Sequence, residues 1–360
     1  MRAMGSRKLL RDAIARRPVS RIPLAEICYW PETIERWERE GLPAGCDPLR
    51  HFGLDAIGLY GPDLSPRLPV RTLAEDNATV TRSDEWGRTV QSWKNTTATP
   101  VNLRFAVDDL SQLETWLERY ATLDHRIIDE SQLREHERRR EAGDFTAVTP
   151  MEPAWFVIEY LLGFEEGLMA FVTHPDLVRR ALRVFTDYTL RHLSWLIDER
   201  GVTFDALWFF ADLCFKNGML LPPAVYREHV LPLHREFRRF CDERGLAFML
   251  HCDGDVRGFI PLVIEAGFDV IQPLEARVGN DVRELKRLWG DRITFMGNIN
   301  ADLIARGTPD EIRTEVTTKL KAAMEGGGYI YHIDHSVPPT VPLANYRLLV
   351  ELLKEHGAYR

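Results

Sequence analysis

The sequence predicts an α/β protein folded as a (β/α)8 TIM barrel. At least eight short apolar segments of strand length alternate with helical segments along the chain, which is the pattern of a parallel barrel. Polar side chains follow directly after these apolar segments, and the carboxyl ends of barrel strands are where ligands bind. No Pro-, Ser- or Gly-rich linker divides the 360 residues, so we expect one domain over residues 1–360.

Composition excludes several classes of protein. The formal net charge is −8, which argues against a nucleic-acid-binding protein because phosphate recognition needs clustered Lys and Arg. No run of 18 apolar residues is present, so no membrane partner is expected. The start of the chain has no apolar stretch of signal-peptide length, and the five cysteines are scattered. Together these features predict a cytoplasmic protein with reduced thiols.

The first third of the chain begins with a helix and a strand. Residues 5–17 have helical spacing, and Pro18 and Pro23 end that helix before a short strand over 22–30. A helix over 33–41 and a strand over 54–60 follow. From about 72 to 98, apolar and polar residues alternate around Glu85-Trp86-Gly87, which predicts an antiparallel hairpin excursion that covers one mouth of the barrel.

The remaining elements alternate in short order. Residues 111–142 are predicted to be helical and highly charged, and the later helices are predicted over 155–172, 175–201 and 226–244. The remaining strands are predicted over 145–151, 204–212, 246–250, 268–273, 293–298 and 327–333.

Three residues that can bind a metal ion follow the strand over 246–250, namely His251, Cys252 and Asp253. His251 and His335, with Asp253 or Cys252, would supply three ligands and leave a position open for substrate. Such a set suits zinc and other divalent ions. If His251 and Asp253 face the pocket, strand alternation turns Cys252 toward the helices as a buried thiol, which is the arrangement we expect. Alternatively, Asp253 only forms the Gly254 turn, and His335 is a hydrogen-bonding pocket residue.

Other polar and aromatic residues also follow predicted strands. Asp212 and Glu275 are candidates for a general acid or base if burial raises their pKa, and the alternative is that they orient a histidine. Aromatic side chains near the strand ends are candidates to line a pocket for an apolar or aromatic substrate. The residues expected in the substrate pocket are Trp30, Tyr60, Glu152, Asn298 and His332.

Six segments taken together resemble the uroporphyrinogen decarboxylase (URO-D) superfamily, with the same order and spacing from about Phe145 onward. These segments are LPPAVYREHVLPLHREF, HCDGDV, EAGFDVIQPLE, GNIN, GTPDEI and GGGYIYHIDHSVPPTVPLANY. The resemblance implies a TIM barrel and one of two activities, which are decarboxylation of porphyrinogens and cobalamin-dependent methyl transfer.

The decarboxylase pattern is only partly present. The arginine-rich segment of true uroporphyrinogen decarboxylases is replaced here by AEICYWPET, and Leu213 stands where the family has a serine after its aspartate. Tyr160 lies one residue out of step with the family's catalytic tyrosine, Asp63 lies two residues late, and only His335 falls cleanly on a decarboxylase residue. A highly anionic substrate is hard to hold without those arginines.

The methyltransferase pattern fits better. That branch is expected to bind zinc through a His-x-Cys motif and a further Cys before Pro-Pro; here these positions hold His251, Asp253 and His335. Oxygen and nitrogen ligands favour gripping a substrate oxygen over activating a thiol. We therefore expect a metal-dependent methyltransferase that acts on a small methoxylated or methylated compound, with zinc or another divalent metal and with cobalamin on a separate corrinoid protein.

Two other activities stay open at this point. One is a metal-free decarboxylase that acts on a smaller acid, with Asp212 and His335 as acid and base. The other is a non-catalytic tetrapyrrole- or corrinoid-binding protein. The oligomeric state does not follow from the sequence.

Overall fold

The computed structural model describes residues 5–107 and 110–359. In this part of the chain, the strands are β1 Ile57–Tyr60, β2 Arg71–Glu75, β3 Thr79–Ser83, β4 Thr89–Trp93, β5 Val101–Arg104, β6 Phe145–Val148, β7 Ala206–Phe210, β8 Cys214–Phe215, β9 Gly218–Met219, β10 Ala247–Cys252, β11 Val270–Pro273, β12 Thr294–Met296 and β13 Tyr329–Ile330.

The α-helices in the same residues are α1 Ser6–Ile14, α2 Pro31–Arg39, α3 Pro48–Phe52, α4 Leu110–Thr122, α5 Glu130–Glu141, α6 Trp155–Leu162, α7 Phe164–Thr173, α8 Pro175–Ser194, α9 Pro223–Val225, α10 Leu231–Arg244, α11 Ile260–Ala266, α12 Val282–Trp289, α13 Ala301–Arg306, α14 Pro309–Ala323 and α15 Leu343–His356. Short π-helical turns at Trp195–Glu199 and Tyr226–Val230 extend α8 and join α9 to α10, and a 3-10 turn spans Ala276–Val278. None of the described helices is both long and apolar enough to span a bilayer.

The predicted α/β architecture is confirmed. A curled parallel sheet has the strand order β1-β6-β7-β10-β11-β12-β13, and every neighbouring pair is parallel. Helices connect these strands, as the alternating pattern of the sequence predicts. The fold is therefore TIM-barrel-like, with seven strands in this sheet among the described residues.

The prediction of a first strand over 22–30 is wrong, because this segment forms only isolated bridges. Leu24 pairs with Tyr331 after β13, and the Leu24 carbonyl accepts a hydrogen bond from the backbone N–H of Asp55, just before β1, at 2.7 Å. The segment thus occupies the place between β13 and β1. The pairing is interrupted at Ile27, whose backbone N–H donates to the ring of His332 instead of to a backbone carbonyl, and it resumes where Tyr29 pairs with Val337.

The excursion is antiparallel, as predicted, but it is a four-stranded sheet that extends beyond residue 98. Its strand order is β2-β3-β4-β5, so the single hairpin gains β2 and β5 as edge strands. Val101–Arg104 is too short for its alternation to predict a strand on its own. Val90 and Asn102 of this sheet line a cavity together with Asp212, so the excursion covers the mouth of the barrel where the strands end.

The prediction of one charged helix over 111–142 is also wrong, because this segment forms two helices, α4 and α5. Asp129 begins the second of them, and its side chain accepts hydrogen bonds from the backbone N–H groups of Ser131 and Gln132. An aspartate in this role satisfies amide groups that have no partner within the helix. The Asp129 cap therefore separates α4 from α5.

The barrel interior is packed with side chains from the inner face of the sheet, and α1 closes its lower end. Trp208 and Met249 belong to the same apolar cluster as Leu10 and Ile14 of α1. Beside α1, the buried carboxylate of Asp205 is surrounded by guanidinium groups. Its oxygens lie 3.3–3.6 Å from nitrogens of Arg7, Arg11 and Arg140.

A second buried carboxyl group is that of Glu26, which lies within the segment 22–30. The hydroxyl of Tyr331 donates to Glu26 Oε1, as does that of Tyr346 at 3.4 Å. The other oxygen accepts from the backbone N–H of Ile333 at 3.4 Å and lies 3.5 Å from His332 Nε2. Burial raises the pKa of Glu26 to about 8, although these hydrogen bonds oppose the shift.

Candidate metal centre

The neighbouring strands β7 and β10 place two acids and a histidine at one end of the barrel. His251 is in register with Phe210 of β7, and their rings stack with centroids 4.7 Å apart. Because strand residues alternate, both rings lie on the inner face of the sheet. Asp212 follows β7 and Asp253 follows β10, so both carboxylates lie just above the histidine.

A hydrogen bond from β11 fixes the imidazole of His251. Gln272 is in register with His251, and its Oε1 accepts from His251 Nδ1 at 2.7 Å. Because the amide oxygen is an acceptor, Nδ1 carries the proton and Nε2 presents its lone pair. His251 Nε2 lies 3.8 Å from Asp212 Oδ1 and 3.7 Å from Asp253 Oδ1.

Asp212, His251 and Asp253 form the group of described residues whose ligand atoms all lie within 4.8 Å of one another. Asp253 Oδ1 is buried and, among the residues that the structure describes, accepts no hydrogen bond. A buried carboxylate oxygen without a partner is costly, and a bound cation would supply one. One imidazole nitrogen and two carboxylate oxygens are suitable ligands for zinc and for several other divalent ions.

His335 reaches the same site from the segment after β13, the last strand in the order of the parallel sheet. Its Nε2 lies 3.3 Å from Asp253 Oδ2, and this contact, together with the charge of Asp253, raises the pKa of His335. The structure thus places His335 beside Asp253, but His335 lies outside the group whose ligand atoms are all within 4.8 Å of one another, so the predicted set of His251, Asp253 and His335 is not found as such. The third member of that group is Asp212, which the sequence placed among the acid–base candidates. His335 contacts Asp253 Oδ2.

The two aspartates have opposite pKa shifts. Burial and the charge of Asp253 raise the pKa of Asp212, although His251 opposes the shift. Burial would also raise the pKa of Asp253, but the hydrogen bond with His335 and the electrostatic effect of His251 outweigh it and lower that pKa. Asp253 is therefore the more firmly ionised of the two.

Glu275 supports the loop that carries Asp253. Glu275 is buried, its Oε2 accepts from the backbone N–H of Gly254 at 2.8 Å, and its Oε1 accepts from Arg277 at 2.6 Å. Both oxygens are thus occupied. This arrangement matches the alternative that Glu275 orients the site more closely than a role in proton transfer.

Three cavities adjoin the cluster formed by Asp212, His251, Asp253, Glu275 and His335. The largest has a volume of about 710 Å³ and is lined by Asp212, Asp253 and Glu275. A second, of about 280 Å³, has Trp30 and His335 in its wall. A third, of about 370 Å³, has Asp212 and Tyr160 in its wall. Trp30 therefore lies beside these residues, as expected of a pocket residue, and Tyr160, which the family resemblance made a catalytic candidate, lines the third cavity.

Two expected pocket residues do not reach the cluster. Tyr60 is buried and packs against Phe204 and His136 on the outer side of the sheet. Glu152 is also buried, and its Oε1 lies 2.8 Å from His234 Nε2. Both side chains belong to the packing between strands and helices.

Asn298 and His332 also have structural partners. Among the described residues, the partners of the Asn298 side chain are backbone groups: it accepts from Val282 and donates to the carbonyls of Leu274 and Asn280. His332 is buried, its Nε2 accepts from the backbone of Ile27 at 3.3 Å, and burial lowers its pKa to about 3. Neither side chain is free to contact a ligand.

Two features near the cluster complete the site. Cys252 is fully buried, as predicted for a thiol that faces the helices, and burial raises its pKa. Glu159 lines the third cavity and was missed in the sequence. The available signal was a single acidic residue among apolar residues in α6, WFVIEYLL.

Comparison with known proteins places the chain. A model of the family described as uroporphyrinogen decarboxylase (URO-D) matches residues 138–356. Uroporphyrinogen decarboxylase of Coxiella burnetii is 28% identical over 184 residues, which span 50% of this chain and 48% of the relative. The enzyme of the same name from Chlorobium luteolum is 26% identical over 37% of this chain and 38% of the relative. The chain thus spans less than half the length of these relatives.

A solved structure extends the likeness over the whole fold. The methyltransferase from Methanosarcina mazei superposes with a TM-score of 0.63 over 98% of this chain and 99% of that one, at 16% sequence identity. At this identity the likeness concerns the fold alone. With the family model matching more than half of its residues, the chain belongs to the uroporphyrinogen decarboxylase (URO-D) family.

Proposed function

We propose that the protein is a metal-dependent methyltransferase that takes a methyl group from a small methoxylated or methylated compound and passes it to a separate corrinoid protein. The observation that carries this proposal is the compact group of Asp212, His251 and Asp253, in which Asp253 Oδ1 is buried without a partner among the described residues. Such a donor set leaves room for a substrate atom beside three protein ligands.

The composition of the group indicates the substrate atom. Nitrogen and oxygen donors suit a zinc ion, or another divalent ion, that binds oxygen, and when bound it would act as a Lewis acid. The chain's own residues prepare this site. Gln272 holds the His251 tautomer with Nε2 free, and Glu275 fixes the turn after Asp253. His335 contacts Asp253 Oδ2, which leaves Asp253 Oδ1 for a cation.

Metal content of the purified protein tests the site directly. We expect wild type to bind about one equivalent of zinc, and His251→Ala and Asp253→Ala to bind it at least ~10-fold more weakly because each removes a ligand. His51→Ala, at an exposed position, is the matched control and should bind as wild type does. Equal binding by His251→Ala and wild type would refute the site.

Turnover tests the reaction. Wild type with a methyl ether and reduced cobalamin should form methylcobalamin, which has a distinct absorption spectrum, and a chelator should abolish its formation. Release of carbon dioxide from a small acid, unaffected by chelators, would instead establish the metal-free decarboxylase. Binding of cobalamin or a porphyrin, with neither reaction, would establish the binding protein.

A further inference from the structure

The third cavity lies between the excursion sheet and helices α6 and α7. Its volume is about 370 Å³, which is within the range of small-molecule sites. Apolar side chains dominate its wall, and they include Val90 from the sheet, Phe156 and Phe164 from the helices, and Phe215 from the β8–β9 hairpin. Asp212 of the candidate metal centre belongs to the same wall. The cavity therefore offers an apolar space for a ring-sized group that reaches the cluster.

Glu159 is the acid on this wall whose carboxylate is not already committed. Among the described residues, it has no side-chain hydrogen bond and no ion pair. The other acid on this wall, Asp212, belongs to the candidate metal centre and accepts from the backbone N–H of Asp253 at 3.0 Å. Glu159 is thus the carboxyl group that remains available to a ligand in this cavity.

The surroundings of Glu159 favour a protonated carboxyl group. The nearby cation, Arg88, lies 3.6 Å from the ring centroid of Tyr160 and donates to Asp84 at 2.7 Å, so its charge is largely balanced. Burial raises the pKa of Glu159, and the charge of Asp212 raises it further, while Arg88 opposes both. Burial is the largest of these effects and persists whatever Asp212 binds.

We propose that the third cavity binds the body of a flat, apolar methyl ether, and that Glu159 protonates the oxygen that departs when the methyl group is transferred. This inference rests on the proposed methyl transfer. The reduced cobalt of the corrinoid supplies the electron pair of the new bond to the methyl carbon. The carbon–oxygen bond breaks with its electron pair on oxygen, and the proton of Glu159 converts that oxygen to a hydroxyl. The products are methylated corrinoid, an alcohol or phenol, and the Glu159 carboxylate.

The dependence of the rate on the leaving group tests the role of Glu159. Anisole and 4-nitroanisole present similar rings, but nitrophenolate departs far more readily without a proton. With reduced cobalamin as acceptor, Glu159→Gln should slow the anisole reaction about 100-fold or more, and the nitroanisole reaction much less. Glu166→Gln, the same change at an exposed position of α7, should slow neither. Equal slowing of both ethers by Glu159→Gln would indicate a merely structural role and overturn the inference.

Binding of phenol tests the cavity without turnover. Val90→Phe adds a ring inside the cavity and should weaken phenol binding about 10-fold, measured by calorimetry, with zinc content unchanged. Leu73→Phe, on the exposed strand β2, should bind phenol as wild type does. Equal phenol binding by Val90→Phe and wild type, with methyl transfer intact, would overturn the cavity assignment alone. Phenol binding lost in Val90→Phe, with no methyl transfer by wild type, would support the cavity assignment and refute both the proposed function and the role of Glu159.

Discussion

Replacing Glu26 by glutamine should change how stability depends on pH. The folded protein holds the pKa of Glu26 at about 8, against an ordinary value of 4.5. Below pH 4.5 the folded and unfolded chains are both protonated at this group, so it has no effect on the pH dependence. Between pH 4.5 and 8 the unfolded chain loses the proton while the folded chain keeps it. The free energy of unfolding of wild type therefore falls as pH rises through this window.

The size of the effect follows from the shift. One unit of pKa corresponds to about 1.4 kcal/mol, so the full shift gives a loss of up to roughly 5 kcal/mol by about pH 8. The glutamine side chain of the variant stays neutral throughout. Because the ionisable neighbours Tyr331, Tyr346, His332 and Asp334 are present in both proteins, their contributions largely cancel in the difference. The variant should therefore gain several kcal/mol relative to wild type between about pH 5 and pH 9.

Urea unfolding, followed by tryptophan fluorescence at pH values from about 5 to 9, measures this difference. Glu351→Gln makes the same change at an exposed position of α15, and its curve should run parallel to that of wild type. A Glu26→Gln curve that also runs parallel to wild type would refute the reasoning, because it would mean that Glu26 has its ordinary pKa in the folded protein.

Three further substitutions test the fold and the site. Asp205→Asn removes a buried carboxylate charge that three partly exposed arginines share, and we expect urea unfolding to show a loss of about 2 kcal/mol. Gly254→Ala places a Cβ 2.8 Å from the Phe215 backbone at a φ of +88°, so melting temperature and zinc affinity should both fall; Gly258→Ala, with open space around it, should change neither. Asn298→Ala removes three hydrogen bonds to backbone groups and should cost about 3 kcal/mol while zinc content is retained.

The sequence placed the candidate ligands at one end of the barrel because that placement depends on local patterns. Short apolar segments predicted the parallel strands, and the polar residues directly after them gave His251, Asp253 and His335 at one end of the barrel. The behaviour of Cys252 followed from strand alternation alone. These inferences need only a residue's neighbours in the chain and the general rule that strand ends converge.

The roles of individual side chains depended on contacts between distant residues. Glu152 follows a strand as Asp212 does, but it bonds to His234, 82 residues away. Asn298 is consumed by three backbone groups that no local pattern reveals. Asp212 joins the compact group because its loop turns toward Asp253, and loop conformation is not encoded in apolar periodicity. Glu159 escaped notice because it lies in the middle of a helix and not at a strand end.

The excursion sheet shares no strand with the parallel sheet. Hydrogen-bond register within the barrel is therefore independent of the length and sequence of β2–β5. Mutations in Val90 or Asn102 can reshape the side wall without displacing His251 or Asp253, which the barrel strands hold. The wall of the third cavity can thus change while the candidate metal centre stays the same, and exchanging residues 71–104 between two proteins of this fold would change that wall alone.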